Sequence, residues 1–200
     1  MFFQKIDETI SSWMLEIHGS SFFNYLMKIF SILGEGGLIW ILFLLAILIF
    51  VVVKKRKVPV VLLAGAVVLL VGWLFNDFCL KLLIQRVRPY RNEAVFGDSF
   101  ISFMDSIHYS YPSGYSIPSG HSFSGFNAAT SITLYKKKLG FIAYPLAFII
   151  AFSRIFLGAH YFSDVLIGSL LGVCFSVLGY FAGNKILKTK KISESKYATR

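Results

Sequence analysis

Gly36-Gly-Leu-Ile-Trp-Ile-Leu-Phe-Leu-Leu-Ala-Ile-Leu-Ile-Phe-Val-Val-Val53 is an uninterrupted apolar run, closed by the basic cluster Lys54-Lys-Arg-Lys57. A bilayer core of about 30 Å needs about 20 mostly apolar helical residues to cross it. This stretch has that length and character, so it decides the class. Working outward, four more segments qualify: about Val58 to Phe75 with an extension toward Leu83, about His121 to Tyr135, about Leu139 to Phe156, and about Tyr161 to Ile186. The third is short and polar at its start. The expected fold is an all-α, polytopic transmembrane helix bundle of about five spanning helices.

Composition agrees. Apolar residues make up 56% of the chain and charged ones only 15%, which places it in the membrane class. A formal charge of +10 often signals nucleic acid. Here the cations sit in short clusters between apolar runs, as topology signals do, so no nucleic-acid partner is expected. Cys79 and Cys174 fall in apolar segments and read as small buried hydrophobes. Met1 to Ser20 mixes Lys5, Asp7, Glu8, Glu16 and His18 into its apolar residues, unlike a cleaved signal.

Three regions are expected: residues 1–35, 36–187 and 188–200. In the first, Ile6 to Met14 and Phe22 to Leu33 show apolar residues at helical spacing. They read as amphipathic helices lying at the membrane interface, with a sixth spanning helix as the competing reading. The second is the transmembrane domain. The third is a basic, polar tail, expected to be disordered from Ile192 to Arg200. Lys54–Lys57, Lys136–Lys138 and the cluster from Lys185 to Lys191 fall on one side if five spans alternate. Basic loops stay in the cytoplasm, so the C-terminus is expected there. The N-terminus, the segment from about Ile84 to Gly120 and the turn at Gly158 to His160 then face outward. Tyr90, Phe96, Phe100, Phe103, Tyr109, Tyr111 and Tyr115 in that long segment are expected to form mainly an interfacial belt. Gly168/Gly172 and Gly179/Gly183 read as close-packing positions within the bundle.

Three clusters put charge where a membrane makes it costly. They are Lys81-Leu-Leu-Ile-Gln-Arg-Val-Arg88-Pro89, Pro118-Ser119-Gly120-His121, and Ser153-Arg154 followed by His160 and Asp164. Each lies at the external end of an expected span, so these residues should face a polar cavity and pair with something. Three cations converging there suit a phosphate, which arginine can grip by two oxygens. Ser119 and Gly120 precede a helix start, where free N–H groups also favour an anion. A carboxylate at Asp164 can orient the His160 imidazole and make its other nitrogen a better nucleophile. His121 is a separate imidazole suited to protonating a leaving oxygen. The sequence Pro112-Ser113-Gly114 repeats the turn without a histidine and reads as a turn only.

These blocks resemble the signature of the type-2 phosphatidate phosphatase superfamily, K-x6-R-P, P-S-G-H and S-R-x5-H-x3-D, at every position and gap from Lys81 to Asp164. The resemblance implies that His160 attacks phosphorus to form a phosphohistidine, that Asp164 orients it, and that His121 protonates the leaving group. It also implies that Lys81, Arg88, Ser119, Gly120 and Arg154 hold the phosphate oxygens. No metal or other cofactor is expected. The expected activity is hydrolysis of the terminal phosphate of a lipid phosphate or pyrophosphate at the external leaflet. Undecaprenyl pyrophosphate is the first choice, although nothing in the site blocks discriminates among the lipids; many family members have six spans, and shorter bacterial members that act on this lipid are similar to the present chain in having fewer. Phosphatidylglycerophosphate, phosphatidate and a lipid phosphotransferase reaction are the alternatives. A soluble haloperoxidase with a similar anion site is disfavoured by the spans. A non-catalytic lipid-binding protein is disfavoured by the presence of both histidines. The oligomeric state is left open.

Overall fold

The computed structural model describes residues 4–189, and among them the regular structure is entirely helical. Helices α1 (Phe2–Glu16) and α2 (Ser21–Leu33) lead through a short turn into α3 (Leu38–Val53). Left-handed backbone at Gly36 and Gly37, φ 59° and 70°, makes that turn, a conformation glycine adopts without Cβ strain. Next comes α4 (Val60–Phe75), extended by a π-helical turn at Asn76–Leu80 and by α5 (Lys81–Ile84). The segment between α5 and α8 holds α6 (Glu93–Phe96) and α7 (Ser99–Ser106), and α8 (Gly120–Tyr135), α9 (Lys137–Phe156) and α10 (Phe162–Ala198) complete the bundle.

Among the described residues, four helical stretches are long and apolar enough to cross a membrane: Glu35–Val53, Val60–Phe96, Lys137–Phe156 and Phe162–Thr189. The remaining expected span, α8, has only 16 residues and a polar face. It forms the centre of the bundle, packed against α4, α9 and α10. Small side chains suit that place, because in lipid helices associate through close packing and polar contacts rather than a hydrophobic drive. Ser131 on α8 bonds Ser176 on α10 at 2.8 Å.

The last helix makes the approach possible. A Cβ on Gly168 would lie 2.5 Å from the Ser119 carbonyl oxygen, and one on Gly172 would lie 2.4 Å from that of Phe123. Gly179 and Gly183 face Val68 and Val60 of α4. These glycines pack helices within the chain, as their spacing suggests.

Two expectations are corrected. Tyr90, Phe96, Phe100 and Tyr109 do not form an interfacial belt; they are buried in a second core with Met27, Phe156 and Leu157. A folded segment of this length needs its own apolar centre, and these rings supply it. Cys79 and Cys174, expected as small buried hydrophobes, are exposed on the outside of the bundle. The expectation of a disordered tail from Ile192 to Arg200 falls on residues that lie outside the described ones.

Helices α1 and α2 are amphipathic, and their inner faces carry more than apolar residues. Asp7, Ser11, Met27 and Ser31 are buried. Through these faces α1 lies against α9 and α10, and α2 against α9.

Candidate active site

The three sequence blocks meet at one end of the bundle, each positioned by a local device. The π turn at Asn76–Leu80 precedes Lys81. One extra residue in a turn rotates everything after it by roughly 100° relative to an unbroken α-helix. With that offset, Lys81 shares a cavity wall with Trp73 and Asp77. Lys81 Nζ lies 2.5 Å from Asp77 Oδ1.

Arg88 is held by backbone carbonyls. Its Nε donates to Gly114 at 3.0 Å, and its two terminal nitrogens donate to Ser113 at 2.7 Å and Ala159 at 2.8 Å. The second Pro-Ser-Gly stretch therefore does more than turn the chain, since it clamps a cation of the site. Gly114, at φ 70°, supplies the left-handed residue that this carbonyl arrangement uses.

The block after α9 is shaped by a helix end. Helix α9 stops at Phe156, and Gly158 takes φ 66°. The N–H groups of Ala159 and His160 both return to the Arg154 carbonyl, at 3.0 and 3.1 Å. A glycine just past a helix end is a common stop, and here it folds His160 back beside the last turn. Asp164 accepts from the Tyr161 N–H at 2.9 Å, a capping contact that starts α10.

The tautomers follow from the partners. Arg88 can only donate, and one of its terminal nitrogens lies 3.1 Å from His160 Nε2, so that nitrogen is unprotonated. Nδ1 then carries the proton and faces Asp164 Oδ2 at 3.7 Å. That is ion-pair range and longer than a hydrogen bond. A carbonyl can only accept, so His121 Nε2 donates to the Ser31 carbonyl at 3.1 Å. Burial, followed by the charges of Arg88, Arg154 and Lys81, holds His160 well below the usual 6.5. Its imidazole is neutral at pH 7, with a lone pair on Nε2.

Lys81, Arg88, Gly120, His121, Arg154 and His160 all line one cavity of about 700 Å³. Ser119 and Asp164 stand behind its wall. The Ser119 hydroxyl accepts from Ser122 N–H and caps α8, and its N–H donates to the Asp164 carbonyl at 3.1 Å. Arg154 donates to the hydroxyls of Ser31 and Tyr109 through one terminal nitrogen. Its buried Nε has no partner among the described residues. Away from the charged end the cavity becomes apolar, running between α3 and α4 along Ile41, Leu45, Leu48, Ala66, Leu70 and Trp73.

Four participants were missed from sequence. Arg86 lies inside the first block at an unspecified position, and its NH1 reaches Asp164 Oδ1 at 2.6 Å. Asp7, on α1, meets Arg86 NH2 at 2.7 Å. Ser31 and Tyr109 hold Arg154. The one available signal was Asp7, a carboxylate four residues from Ser11 and seven from Met14, on the stripe of α1 that turns inward.

Three cations and two imidazoles at the mouth of a lipid-sized slot, set in a helical membrane bundle, make up an integral-membrane phosphatase. A family model described as the PAP2 superfamily matches residues 57–187, and the chain belongs to that superfamily, whose members are lipid phosphatases. It is 27% identical over 190 residues to a lipid A 4'-phosphatase of Bacteroides thetaiotaomicron, covering 92% of this chain and 80% of that one. It is 38% identical over 71 residues to the bacitracin transport permease protein BcrC of Bacillus licheniformis, a match spanning only 35% of that relative. Among solved structures, the PAP2-type phosphatidylglycerolphosphate phosphatase of Bacillus subtilis superposes with a TM-score of 0.62 at 26% identity, covering 92% of this chain and 87% of that one. LpxE of Aquifex aeolicus has the same fold, with a TM-score of 0.61 at 24% identity, covering 90% and 94%.

Proposed function

We propose that this phosphatase removes the terminal phosphate of a membrane lipid through a phosphohistidine on His160, with its active site at the external leaflet. The contact between Arg88 and His160 Nε2 carries the reading. It leaves a neutral, correctly protonated imidazole facing the cavity that Lys81 and Arg154 also line. In the first step Nε2 bonds to phosphorus while the bond to the lipid oxygen breaks, and His121, entering as the doubly protonated imidazolium, gives a proton to that oxygen. In the second, His121 takes a proton from water, which attacks the phosphohistidine and releases phosphate. Lys81, Arg88, Arg154 and the Gly120 N–H hold the phosphate oxygens, and charge spread over those oxygens in the transition state is what they stabilise. Ser119 serves by capping α8, and Asp164 by facing Nδ1.

For the lipid, we place a phosphomonoester first. The relatives matched over most of the chain are named for removing phosphate from lipid A and from phosphatidylglycerolphosphate. Undecaprenyl pyrophosphate, favoured from sequence, rests on the family resemblance alone. The external orientation rests on the basic clusters at Lys54–Lys57, Lys136–Lys138 and Lys185–Lys191.

Acid-stable and acid-labile phosphoprotein should be separated after quenching detergent-purified enzyme with labelled lipid phosphates. Wild type is expected to trap acid-labile label. His160→Ala is expected to trap none and to turn over at background, with chelators without effect on the wild type. His121→Ala should slow poor leaving groups most. Near-normal turnover by His160→Ala sinks the mechanism. The same preparation, offered phosphatidate, phosphatidylglycerophosphate and undecaprenyl pyrophosphate with and without a lipid acceptor, ranks the substrates and distinguishes hydrolysis from transfer.

A further inference from the structure

Helix α1 lies outside the residues matched by the family model, yet it buries a carboxylate beneath the site. Asp7 is only 1% exposed. Its Oδ1 accepts from the Ser163 N–H at 2.8 Å, in the first turn of α10. Its Oδ2 accepts from the Ser163 hydroxyl at 2.5 Å and from Arg86 NH2 at 2.7 Å. The other terminal nitrogen of Arg86 reaches the Ser163 hydroxyl at 2.7 Å and Asp164 Oδ1 at 2.6 Å. The Arg86 guanidinium also lies over the Tyr161 ring, 4.0 Å from its centroid. Burying a charge in a membrane protein is costly unless it is paired, and a face of α1 that only had to dock would be better apolar.

Resting on His160 as the nucleophile, we propose that Asp7, acting through Arg86, is a positioning residue for Asp164 and so for His160. Two effects follow from the geometry. The first is orientation. A planar guanidinium bridging two carboxylates has little freedom, so Asp164 presents Oδ1 to Arg86 and leaves Oδ2 for Tyr161 N–H and the His160 ring. Released from Asp7, Arg86 borders a second cavity that also holds Glu8 and Glu93, and either offers it another partner. The second is charge. Positive charge grows on the His160 ring as Nε2 bonds to phosphorus, and Asp164 is there to oppose it. Asp7 neutralises Arg86. Without Asp7, the unopposed cation of Arg86 acts on Asp164 and disfavours the transition state more than the bound substrate.

The test compares Asp7→Asn, Asp7→Glu, Arg86→Gln and the Asp7→Asn/Arg86→Gln pair in the full-length enzyme, with Ser11→Ala as a neighbour on the same buried face. Partners one step removed from a reacting group typically contribute about 10–100-fold. Asp7→Asn is expected to lower kcat by that range with KM changed less than about threefold, and still to trap acid-labile phosphate. Asp7→Glu should recover part of the loss. Removing the cation as well should make the double variant faster than Asp7→Asn. The inference is overturned by wild-type kcat in Asp7→Asn, by an equal kcat loss in Ser11→Ala, or by strictly additive losses in the double variant. Should Asp7→Asn fail to fold, Arg86→Gln must still show the kcat loss at unchanged KM. Failure of the phosphohistidine reading is a different result: activity retained by His160→Ala, whatever Asp7 does.

Discussion

His160 and His121 are the same residue type with opposite free nitrogens, and their neighbours alone decide it. An arginine donates to Nε2 of the first, and a carbonyl accepts from Nε2 of the second. Burial has a further consequence for acid stability. His160 is held below its usual 6.5 chiefly by desolvation. His18 is also lowered, its burial outweighing the bond to the Phe156 carbonyl. In both, the unfolded chain takes up a proton before the folded one does. Stability is therefore full above about pH 6.5 and falls as the pH drops below that value. Melting temperature in detergent is expected to decrease between pH 7.5 and 5.5, while the His160 imidazole in the folded enzyme stays unprotonated at pH 6.5. A melting temperature that rises on acidification contradicts this.

Among the elements, α10 has the closest tolerances. Gly168 meets backbone, the Ser119 carbonyl, whereas Gly183 meets the end of a valine side chain, at 2.7 Å. A methyl group can be accommodated at the second by a rotamer change but at the first only by moving α8. Overpacking of this kind costs about 1–3 kcal/mol. Gly168→Ala is expected to lower the melting temperature by several degrees and to reduce kcat, because the displaced residue is the one before Gly120 and His121. Gly183→Ala should leave both within error. Equal effects from the two would mean that the α8–α10 contact is softer than its geometry implies. The π turn before Lys81 acts at the same scale, since it spends one residue to aim a cation.

For the molecule as a whole, charged and apolar parts of one cavity are separated along its length. The charged end is closed by the end of α2 and the segment between α5 and α8, and the apolar part runs between α3 and α4. A tail lying there would bury apolar surface worth roughly 25 cal/mol per Å², so lipid substrates should gain affinity that a short phosphate ester cannot. Ala66→Trp, at the α4 side of this passage, is expected to raise KM for a long-chain lipid phosphate at least tenfold. Its effect on para-nitrophenyl phosphate should be much smaller. Parallel losses for both substrates would show that the passage does not hold the tail. Orientation is also a property of the whole molecule. With Cys79 and Cys174 replaced by alanine, cysteine at Asp98 should react with an impermeant reagent on intact cells, and cysteine at Lys137 only after lysis.

Much of this was legible from sequence because membranes restrict what a chain can do. Apolar length sets the spans, and a charge near a lipid core has to have a purpose, so Lys81, Arg88, His121, Arg154 and His160 stood out before any coordinates. Local signals also sufficed for the glycine pairs of α10, whose spacing places them on one face. Tertiary structure alone decided the rest. Asp7 and Arg86 are separated by 79 positions and Ser31 from Arg154 by 123, and no local rule links residues so far apart. The same holds for the aromatics between α5 and α8, which read as an interfacial belt until the folded segment enclosed them. Spans and motif cations are set by short-range chemistry, whereas the groups that aim them are chosen by which helix faces come together, and that depends on the packing of the entire bundle.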